Sequence, residues 1–224
     1  FSNTLWEVIM LRVESLDVYI GAVEILRSVS FEVPRGSMTG LIGRNGAGKT
    51  TLMKSIMGLL SPARGSIALE GRSLLGVPVH ARNPMGIGYM PEDRRLIPDL
   101  TIEENLLVPL WAVGRDDALE RLDKIYSMIP EIKVFAARKG LQLSGGQQKL
   151  VALGRALMHG QRLLLLDEPF EGVAPALAQR LVQVVASLKG EGLTVILSES
   201  DLQHSESMVD GILTIDRGEL LRTK

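Results

Sequence analysis

The stretch GRNGAGKT, residues 43–50, decides the fold of this chain. It follows the pattern G-x-x-x-x-G-K-T, between an apolar run that is typical of a strand, MTGLIG, and a segment that predicts a helix, TLMKSIMGLL. Glycines let a backbone come close to a polyphosphate, and the free N–H groups at a helix start suit an anion. We call this stretch the phosphate loop, since it predicts a phosphate site between a strand and a helix.

The side chains of the phosphate loop have distinct expected roles. The amine of Lys49 is expected to reach the β- and γ-phosphates of a nucleotide, and the hydroxyl of Thr50 to ligate Mg²⁺. The alternative is a glycine-rich turn without a ligand, although this pattern arises by chance in only about one chain in a hundred of this size. The predicted nucleotide-binding residues of this region are Gly43, Asn45, Gly46, Ala47, Gly48, Lys49, Thr50 and Thr51.

A second stretch, LLLLDEP at residues 163–169, places two acids after a buried strand. Ligands of open α/β sheets bind at the carboxyl ends of the strands, which is where Asp167 and Glu168 emerge. Asp167 is expected to hold the hydration shell of Mg²⁺, and Glu168 to polarise the attacking water. Adjacent acids often mark only a strand end, but a phosphate loop in the same chain favours catalytic roles for Glu168 and Lys49.

A third stretch, LQLSGGQQKLVALGRALM at residues 141–158, predicts an amphipathic helix that opens with two glycines. Ser144 and Gln147 form a capping box, which satisfies two backbone donors at the helix start. A capping box does not need glycines, and each glycine inside a helix costs roughly 1 kcal/mol relative to alanine. Gly145 and Gly146 therefore indicate that something approaches this backbone closely, and a helix start suits an anion.

The composition excludes several classes of protein. Among 224 residues, 25 are Lys or Arg and 26 are Asp or Glu, so the net charge of −1 argues against binding nucleic acid by bulk electrostatics. The absence of cysteine excludes disulfides, cysteine-ligated zinc and thiol catalysis. No apolar run approaches the roughly 20 residues that span a bilayer. If the protein acts at a membrane, we expect a partner protein to span it.

Strands and helices alternate through most of the chain, which predicts a mostly parallel sheet covered on both faces. Residues 101–158 differ, since they read as helices, the first opened by a capping box of Thr101 and Glu104. We therefore expect a single domain over 1–224. Its core is formed by 1–100 and 159–224, and a helical subdomain over 101–158 includes the helix with the two glycines. A short helix is also expected after Glu199.

The order of the three stretches resembles the ATP-binding subunit of ABC transporters along essentially the whole chain. The resemblance implies a P-loop NTPase core, a mostly parallel sheet with an N-terminal antiparallel β subdomain, plus a helical subdomain. It also implies an ATPase that uses ATP and Mg²⁺ and pairs head to tail with a second ABC ATPase subunit. In that pair, the γ-phosphate held by the partner would be capped by Ser144, Gly145, Gly146 and Gln147.

Within that family, YMPEDRRLIPDLTIEENL and EGVAP look like the subclass that powers uptake of branched-chain amino acids. The resemblance puts Glu92 at the position of the glutamine loop, in contact with Mg²⁺ or water, and Ala174 at an aspartate position. The alternative for Glu92, Arg94 and Arg95 is a solvated loop. The implied partners are transmembrane permeases and, indirectly, a solute-binding protein, which makes the expected location cytoplasmic and peripheral on the inner face of the cell membrane.

The helical insertion and the loop around Glu92 are also expected to form a groove for a permease helix. Four apolar residues are candidates to line this groove or, equally, to be core residues. They are Met90, Leu96, Ile97 and Leu100.

The chain departs from the family pattern at two positions. The family usually places an aromatic residue before a glycine in the first strand to stack on adenine, whereas this chain has Ile20 there and Tyr19 one residue earlier. Both are candidates for contact with adenine, because Tyr19 would reach the base through a bulge and Ile20 would offer apolar contact without stacking. Many relatives also have a histidine that contacts the γ-phosphate, where this chain has Ser200. A serine can donate a hydrogen bond to phosphate but cannot carry a proton near neutral pH. His204 lies one helical turn later, too far along to substitute.

Three functions therefore remain in view. The favoured one is an ATP-hydrolysing subunit of an importer of branched-chain amino acids or related small solutes. Ser200 leaves open a regulatory ATP-binding half of a heterodimeric ABC ATPase, with little turnover of its own. A soluble ABC ATPase that works outside transport is disfavoured, because such proteins usually add coiled coils, zinc modules or a second ATPase domain. The sequence does not name the solute.

Overall fold

The computed structural model describes residues 9–111, 113–114, 116–201 and 203–223. The strands are β1 (Ile9–Ile20), β2 (Val23–Pro34), β3 (Met38–Ile42), β4 (Arg64–Leu69), β5 (Arg72–Ser73), β6 (Ile87–Met90), β7 (Leu163–Asp167), β8 (Thr194–Glu199), β9 (Gly211–Asp216) and β10 (Glu219–Thr223). The helices are α1 (Lys49–Ile56), α2 (Val79–Arg82), α3 (Ile102–Trp111), α4 (Ala118–Met128), α5 (Pro130–Val134), α6 (Gly145–His159) and α7 (Pro175–Lys189), with a 3₁₀ turn at Gly140–Gln142.

A six-stranded sheet forms the centre of the fold, in the order β10-β9-β3-β8-β7-β6. All its neighbouring strands pair in parallel except β10, which pairs antiparallel with β9. Every residue of β7 and β8 is buried, as expected for strands that are covered on both faces. The predicted mostly parallel sheet is confirmed, and it brings the carboxyl ends of β3, β7 and β8 to one edge.

The two faces of this sheet pack against different elements. Leu163 and Leu165 of β7 join a core cluster with α1 and with a four-stranded antiparallel sheet, β2-β1-β4-β5, near the N-terminus. Leu164 and Leu166 join the other cluster, which contains residues of α3 to α7. Alternate residues of one strand therefore serve two separate cores, as the period of two in a strand requires.

Helices α3 to α6 pack together on one side of the sheet. The predicted capping box at the start of α3 is confirmed, because the Thr101 backbone N–H donates to Glu104 Oε2 at 2.7 Å and the Glu104 N–H donates to Thr101 Oγ1 at 3.2 Å. The division into core and helical subdomain stays a prediction. The short helix after Glu199 was wrong, since residues 203–208 form turns.

Candidate functional site

A cavity of about 400 Å³ opens at the carboxyl edge of the sheet, beside the phosphate loop. Residues far apart in sequence meet there: loop residues after β3, acids after β7 and an acid after β6. The lining residues are Ile25, Asn45, Gly46, Gly48, Lys49, Thr50, Thr51, Glu92, Glu168 and Glu171. Most of the residues expected to handle a nucleotide within one chain therefore share one cavity.

The phosphate loop ends where α1 begins, at Lys49. Gly48 has a φ of +114°, a backbone conformation that side-chain-bearing residues rarely adopt, so the last turn into the helix requires glycine here. Ala47 is buried beside it, and the Ala47 N–H donates to the Arg44 carbonyl at 3.0 Å. The Lys49 Nζ in turn donates to the Arg44 carbonyl at 3.1 Å and to the Gly43 carbonyl. The lysine thus folds back over the loop.

Lys49 also forms a buried ion pair with Glu168. Its Nζ lies 3.0 Å from Glu168 Oε1, and the two side chains are only 5% and 7% exposed. Burial raises the pKa of Glu168, and the hydrogen bond from Lys49 opposes that shift. Glu168 also has a φ of +48°, a left-handed conformation that costs on the order of 1–3 kcal/mol. Such strain concentrates at functional sites, which fits a carboxylate held for chemistry.

Asp167 is fully buried and accepts three hydrogen bonds. Its Oδ1 accepts from Thr50 Oγ1 at 3.1 Å and from Ser198 Oγ at 2.8 Å, and its Oδ2 accepts from Tyr89 OH at 3.2 Å. Burial, followed by the charge of Asp167, raises the pKa of Tyr89, so this phenol remains a donor. A hydroxyl and a carboxylate in contact are the hard oxygen ligands that Mg²⁺ prefers, so Thr50 and Asp167 fit the predicted metal.

Sequence reasoning missed Tyr89 and Ser198. Both lie on the strands that flank β7: Ser198 of β8 pairs with Asp167 in register, and Tyr89 of β6 pairs with Leu165. A polar side chain near the carboxyl end of an otherwise apolar strand was the available signal. The order of the strands in the sheet was needed to interpret it.

Ser200 lines a neighbouring cavity of about 340 Å³, which shares Glu168 and Glu171 with the nucleotide cavity. Its Oγ is 3.0 Å from Asn45 Oδ1 and 3.5 Å from Glu168 Oε1, so its hydroxyl bridges the phosphate loop and the predicted base. His204 instead packs edge-on against Phe170, with 5.7 Å between the ring centroids. His204 does not belong to the described residues that line the nucleotide cavity.

Glu92 lines the cavity with its exposed side chain, but Tyr19 and Ile20 are placed apart from it. Both lie on the surface, 45% and 50% exposed, at the end of β1. The Tyr19 hydroxyl donates to Glu24 Oε1 at 2.7 Å, and the apolar residue of β2 that lines the cavity is Ile25. The adenine contacts of Tyr19 and Ile20 stay a prediction.

The glycines at the start of α6 have contacts within the chain. The capping box is confirmed, since the Ser144 N–H donates to Gln147 Oε1 at 2.9 Å and the Gln147 N–H donates to Ser144 Oγ at 3.3 Å. A β-carbon on Gly146 would lie 2.1 Å from Leu177 Cδ2, and one on Gly145 would lie 3.1 Å from Arg94 Nη1. Close approach is thus real here, and the expected role towards a partner's nucleotide stays a prediction.

The four residues considered as the lining of a permease groove differ in how deeply they are buried. Met90 is fully buried, so it is a core residue, and Leu96 packs against the same core. Ile97 is 40% exposed, and Leu100 is half-buried. A different cavity, of about 250 Å³, lies between β6 and the helices and is lined in part by Tyr89, Pro91, Arg95, Pro109 and Arg155. In the described ranges, no helix is long and apolar enough to cross a membrane.

Comparison with known proteins gives the family. A model of the ABC transporter family matches residues 26–171. The chain is 36% identical over 212 residues to the high-affinity branched-chain amino acid transport ATP-binding protein BraG of Pseudomonas aeruginosa, covering 95% of this chain and 91% of BraG. It is 32% identical to the probable branched-chain amino acid transport ATP-binding protein LivF of Archaeoglobus fulgidus, over 94% and 90% of the two chains.

Other relatives differ in what their names say they transport. The lipopolysaccharide export ATP-binding protein LptB of Acidithiobacillus ferridurans is also 32% identical, over 88% of this chain and 82% of LptB. Among solved structures, a nucleotide-free ATP-binding cassette from an ABC transporter superposes with a TM-score of 0.85 and 29% identity over 96% of this chain and 90% of its own. A dimeric bacterial ABC transporter cassette gives 0.85 and 26%, over 96% and 98%. The chain belongs to the ABC transporter family, as one of its ATP-binding ATPase subunits.

Proposed function

We propose that the chain hydrolyses ATP with Mg²⁺ as a subunit of an importer of branched-chain amino acids. The observation that carries the hydrolytic part is the convergence of two pairs at one sheet edge. Lys49 meets Glu168 at 3.0 Å, and Thr50 meets Asp167 at 3.1 Å, although each pair joins distant segments of the sequence. Together they provide a phosphate cation, a base and oxygen ligands for a metal.

The chain's own residues suit the steps of hydrolysis. Thr50 and Asp167 would hold Mg²⁺, which neutralises charge on the β- and γ-phosphates when bound. Lys49 exchanges its bond with Glu168 for one with a phosphate oxygen. The freed Glu168 carboxylate then accepts a proton from the attacking water, whose oxygen bonds to the γ-phosphorus as the bond to ADP breaks. Burial raises the pKa of Glu168, which strengthens it as a base.

Head-to-tail pairing completes this site in the proposal. Ser144 and Gly145 are exposed at the start of α6, a helix start that suits an anion. They are not among the lining residues of the chain's own cavity. A second ABC ATPase subunit would present the same residues to the nucleotide held here. The solved dimeric cassette is a bacterial relative of the same fold.

The proposed transport partners are two kinds of protein. Transmembrane permeases would dock at the cavity of about 250 Å³ between β6 and the helices, which Tyr89, Pro91 and Arg95 line in part. A solute-binding protein would act through them. This assembly would place the chain in the cytoplasm, peripheral on the inner face of the cell membrane. Branched-chain amino acids are favoured as solute because BraG matches at 36% identity and LivF at 32%, whereas the two LptB relatives match at 32% and 30%.

Cells of the source organism offer the direct test of the solute. The variant Glu168→Gln should abolish uptake of radiolabelled leucine, isoleucine and valine and leave lipopolysaccharide export intact. Glu191→Gln, a surface substitution beside Lys124, serves as the control and should leave uptake unchanged. Normal uptake with a defect in lipopolysaccharide export would contradict the proposed solute, without affecting the proposed hydrolysis.

A regulatory ATP-binding half is the second candidate, and Ser200 is the observation that favours it. Ser200 occupies the bridge between Asn45 and Glu168 without a group that titrates near neutral pH. ATP turnover by the purified chain across a range of protein concentrations separates the two functions. A rate per chain that rises with concentration indicates a competent homodimer. Binding of ATP without turnover at any concentration points to a missing, unlike partner subunit. Glu168→Gln in the assembled complex then separates the functions, since lost turnover supports the hydrolysing subunit and native turnover supports the regulatory half.

A further inference from the structure

Lys149 is a buried lysine in the first turns of α6. It lies within the third stretch, but the proposed chemistry gives it no role. Its side chain is only 2% exposed, among the largest fully buried side chains of the described protein. Its Nζ donates to the Glu168 carbonyl at 2.7 Å and to the Glu171 carbonyl at 2.5 Å. These two carbonyls open and close the turn of residues 168–171, which we call the acidic turn.

Burying an ammonium group is costly unless acceptors surround it. An ammonium carries several N–H donors, which suits two carbonyls that point to one place. Burial lowers the pKa of Lys149 and the charge of Arg94 lowers it further, while the charges of Glu171, Glu168 and Glu92 oppose this shift. The two carbonyls of the acidic turn are therefore the contacts that offset the cost of burying this side chain.

The acidic turn contains the strained residue of the site. Glu168, at a φ of +48°, keeps this conformation only if its surroundings fix it. Its N–H donates to Ser198 Oγ of β8 at 3.1 Å, and its carbonyl accepts from Lys149 of α6. The Glu171 N–H also donates to the Glu168 carbonyl at 3.3 Å. The backbone of Glu168 is thus held from a strand on one side and from a helix on the other.

A second cation of α6 supports another left-handed segment. Arg155 donates through Nη1 to the Arg95 carbonyl at 2.7 Å and through Nη2 to the Arg94 carbonyl at 2.6 Å. Arg94 and Arg95 have φ values of +63° and +48°. Holding strained backbone through side-chain cations is therefore a repeated feature of this helix, which makes an accidental contact of Lys149 a poorer explanation.

We propose that Lys149 is a positioning residue for Glu168: it fixes the acidic turn, and through the turn it aims the carboxylate at the phosphate end of the cavity. This inference rests on the proposed role of Glu168 as the base. The sequence carries a signal for it, because Lys149 lies four residues before Leu153 and seven before Ala156, on the face of α6 that is buried.

The test uses the full chain with Lys149→Met, which removes the donors and keeps the length of the side chain. The matched control is Lys124→Met, which removes an exposed lysine of α4 that pairs with Glu191. Hydrogen exchange of the backbone amides of Glu168, Phe170 and Glu171 should become about tenfold faster in Lys149→Met, because the turn opens locally, and should not change in Lys124→Met. Exchange in the phosphate loop should stay as in the native chain.

Steady-state kinetics give the second readout. Lys149→Met should lower kcat by about ten- to a hundredfold, the usual cost of a slightly misplaced catalytic group, and should leave the KM for ATP within about twofold. Lys149→Arg should recover part of the loss, since a guanidinium also donates to two carbonyls. If Lys149→Met fails to fold, Lys149→Gln, which is shorter and uncharged, should show the same changes at smaller size.

The outcomes separate this inference from the proposed base. Native-like exchange in the acidic turn, together with a native kcat in Lys149→Met, would overturn the positioning role. Turnover that survives in Glu168→Gln would overturn the base and leave the exchange result as the test of Lys149. Exchange is measured without turnover, so a chain that needs an unlike partner for hydrolysis still tests the inference.

Discussion

Lys49 Nζ lies 3.0 Å from Glu168 Oε1, so the cation expected to bind phosphate neutralises the carboxylate expected to activate water. Both side chains are buried at the same edge of the central sheet, where Glu168 directly follows β7 and Lys49 begins α1. Without nucleotide, neither group has to be buried as an unpaired charge. One contact thus joins the proposed phosphate ligand to the proposed base, and substitutions of the two residues are expected to have different effects.

Replacing the lysine, as in Lys49→Met, leaves the Glu168 carboxylate buried without its cation. We expect the free energy of unfolding without nucleotide to fall by about 3–5 kcal/mol, the usual cost of breaking a buried pair on one side. Urea denaturation measures this loss. Lys54→Met, on the same helix, is the control. The double variant Lys49→Met/Glu168→Gln should be more stable than Lys49→Met alone, and equal stability would contradict the pairing.

Replacing the acid, as in Glu168→Gln, keeps the volume of the side chain and removes the base. We expect kcat to fall by about 10²–10⁴-fold, the range of general-base catalysis, while ATP binding is retained. Single-turnover hydrolysis and equilibrium binding of ATP measure the two effects separately. A variant that binds ATP and hydrolyses it at the native rate would show that another group activates the water.

Ser200→Ala removes the hydroxyl that bridges Asn45 and Glu168. Because a neutral hydrogen bond contributes about 0.5–1.5 kcal/mol, we expect turnover to fall by no more than about tenfold. Ser200→His should instead add a titrating group, visible as a new limb in the pH profile of kcat at about pH 6.5. Complete loss of turnover in Ser200→Ala would mean that the serine is part of the chemistry.

The buried carboxyl group of Glu199 should make the stability of the fold depend on pH. Its carboxylate is 5% exposed and accepts from Ser205 Oγ, and burial raises its pKa from 4.5 to about 7. The folded chain therefore binds the proton more tightly than the unfolded chain. The stability from this group is complete below pH 4.5, falls as the pH rises to about 7, and is constant above that.

Glu199→Gln removes this dependence. We expect the gain in unfolding free energy of the variant over the native chain to grow by about 2 kcal/mol between pH 5 and pH 8. Denaturant titrations of both proteins at the two pH values measure the difference, which cancels the titration of the other carboxylates. A gain that is the same at both values would show that Glu199 titrates normally in the folded chain.

Much of the fold followed from local patterns in the sequence. The phosphate loop, the buried strand before Asp167 and the capping boxes of Thr101 and Ser144 all depend on neighbours within a few residues, so they could be predicted. The helix expected after Glu199 failed because a short polar stretch supports turns equally well. Met90 proved to be a core residue. The sequence of its strand shows which residues share a face of the sheet, but it does not show which face is covered.

The missed parts of the site depend on contacts between distant segments. Ser198 and Tyr89 reach Asp167 only because β8 and β6 flank β7, an order that no single strand reveals. Lys149 reaches the carbonyls of the acidic turn from another element altogether. The spacing of Lys149 shows that its face of the helix is buried, but periodicity alone cannot identify the backbone that it meets.

The pairing of Lys49 with Glu168 also bears on how the cavity empties. If Lys49 binds phosphate as proposed, an incoming phosphate has to displace a carboxylate that is held beside the lysine at high effective concentration, so we expect a lower nucleotide affinity than in a cavity with a free cation. The same carboxylate is available to reclaim the lysine once the phosphate group has been cut away. In this proposal the Glu168 carboxylate lowers the affinity for nucleotide and speeds the release of the products, which returns the subunit to its nucleotide-free state.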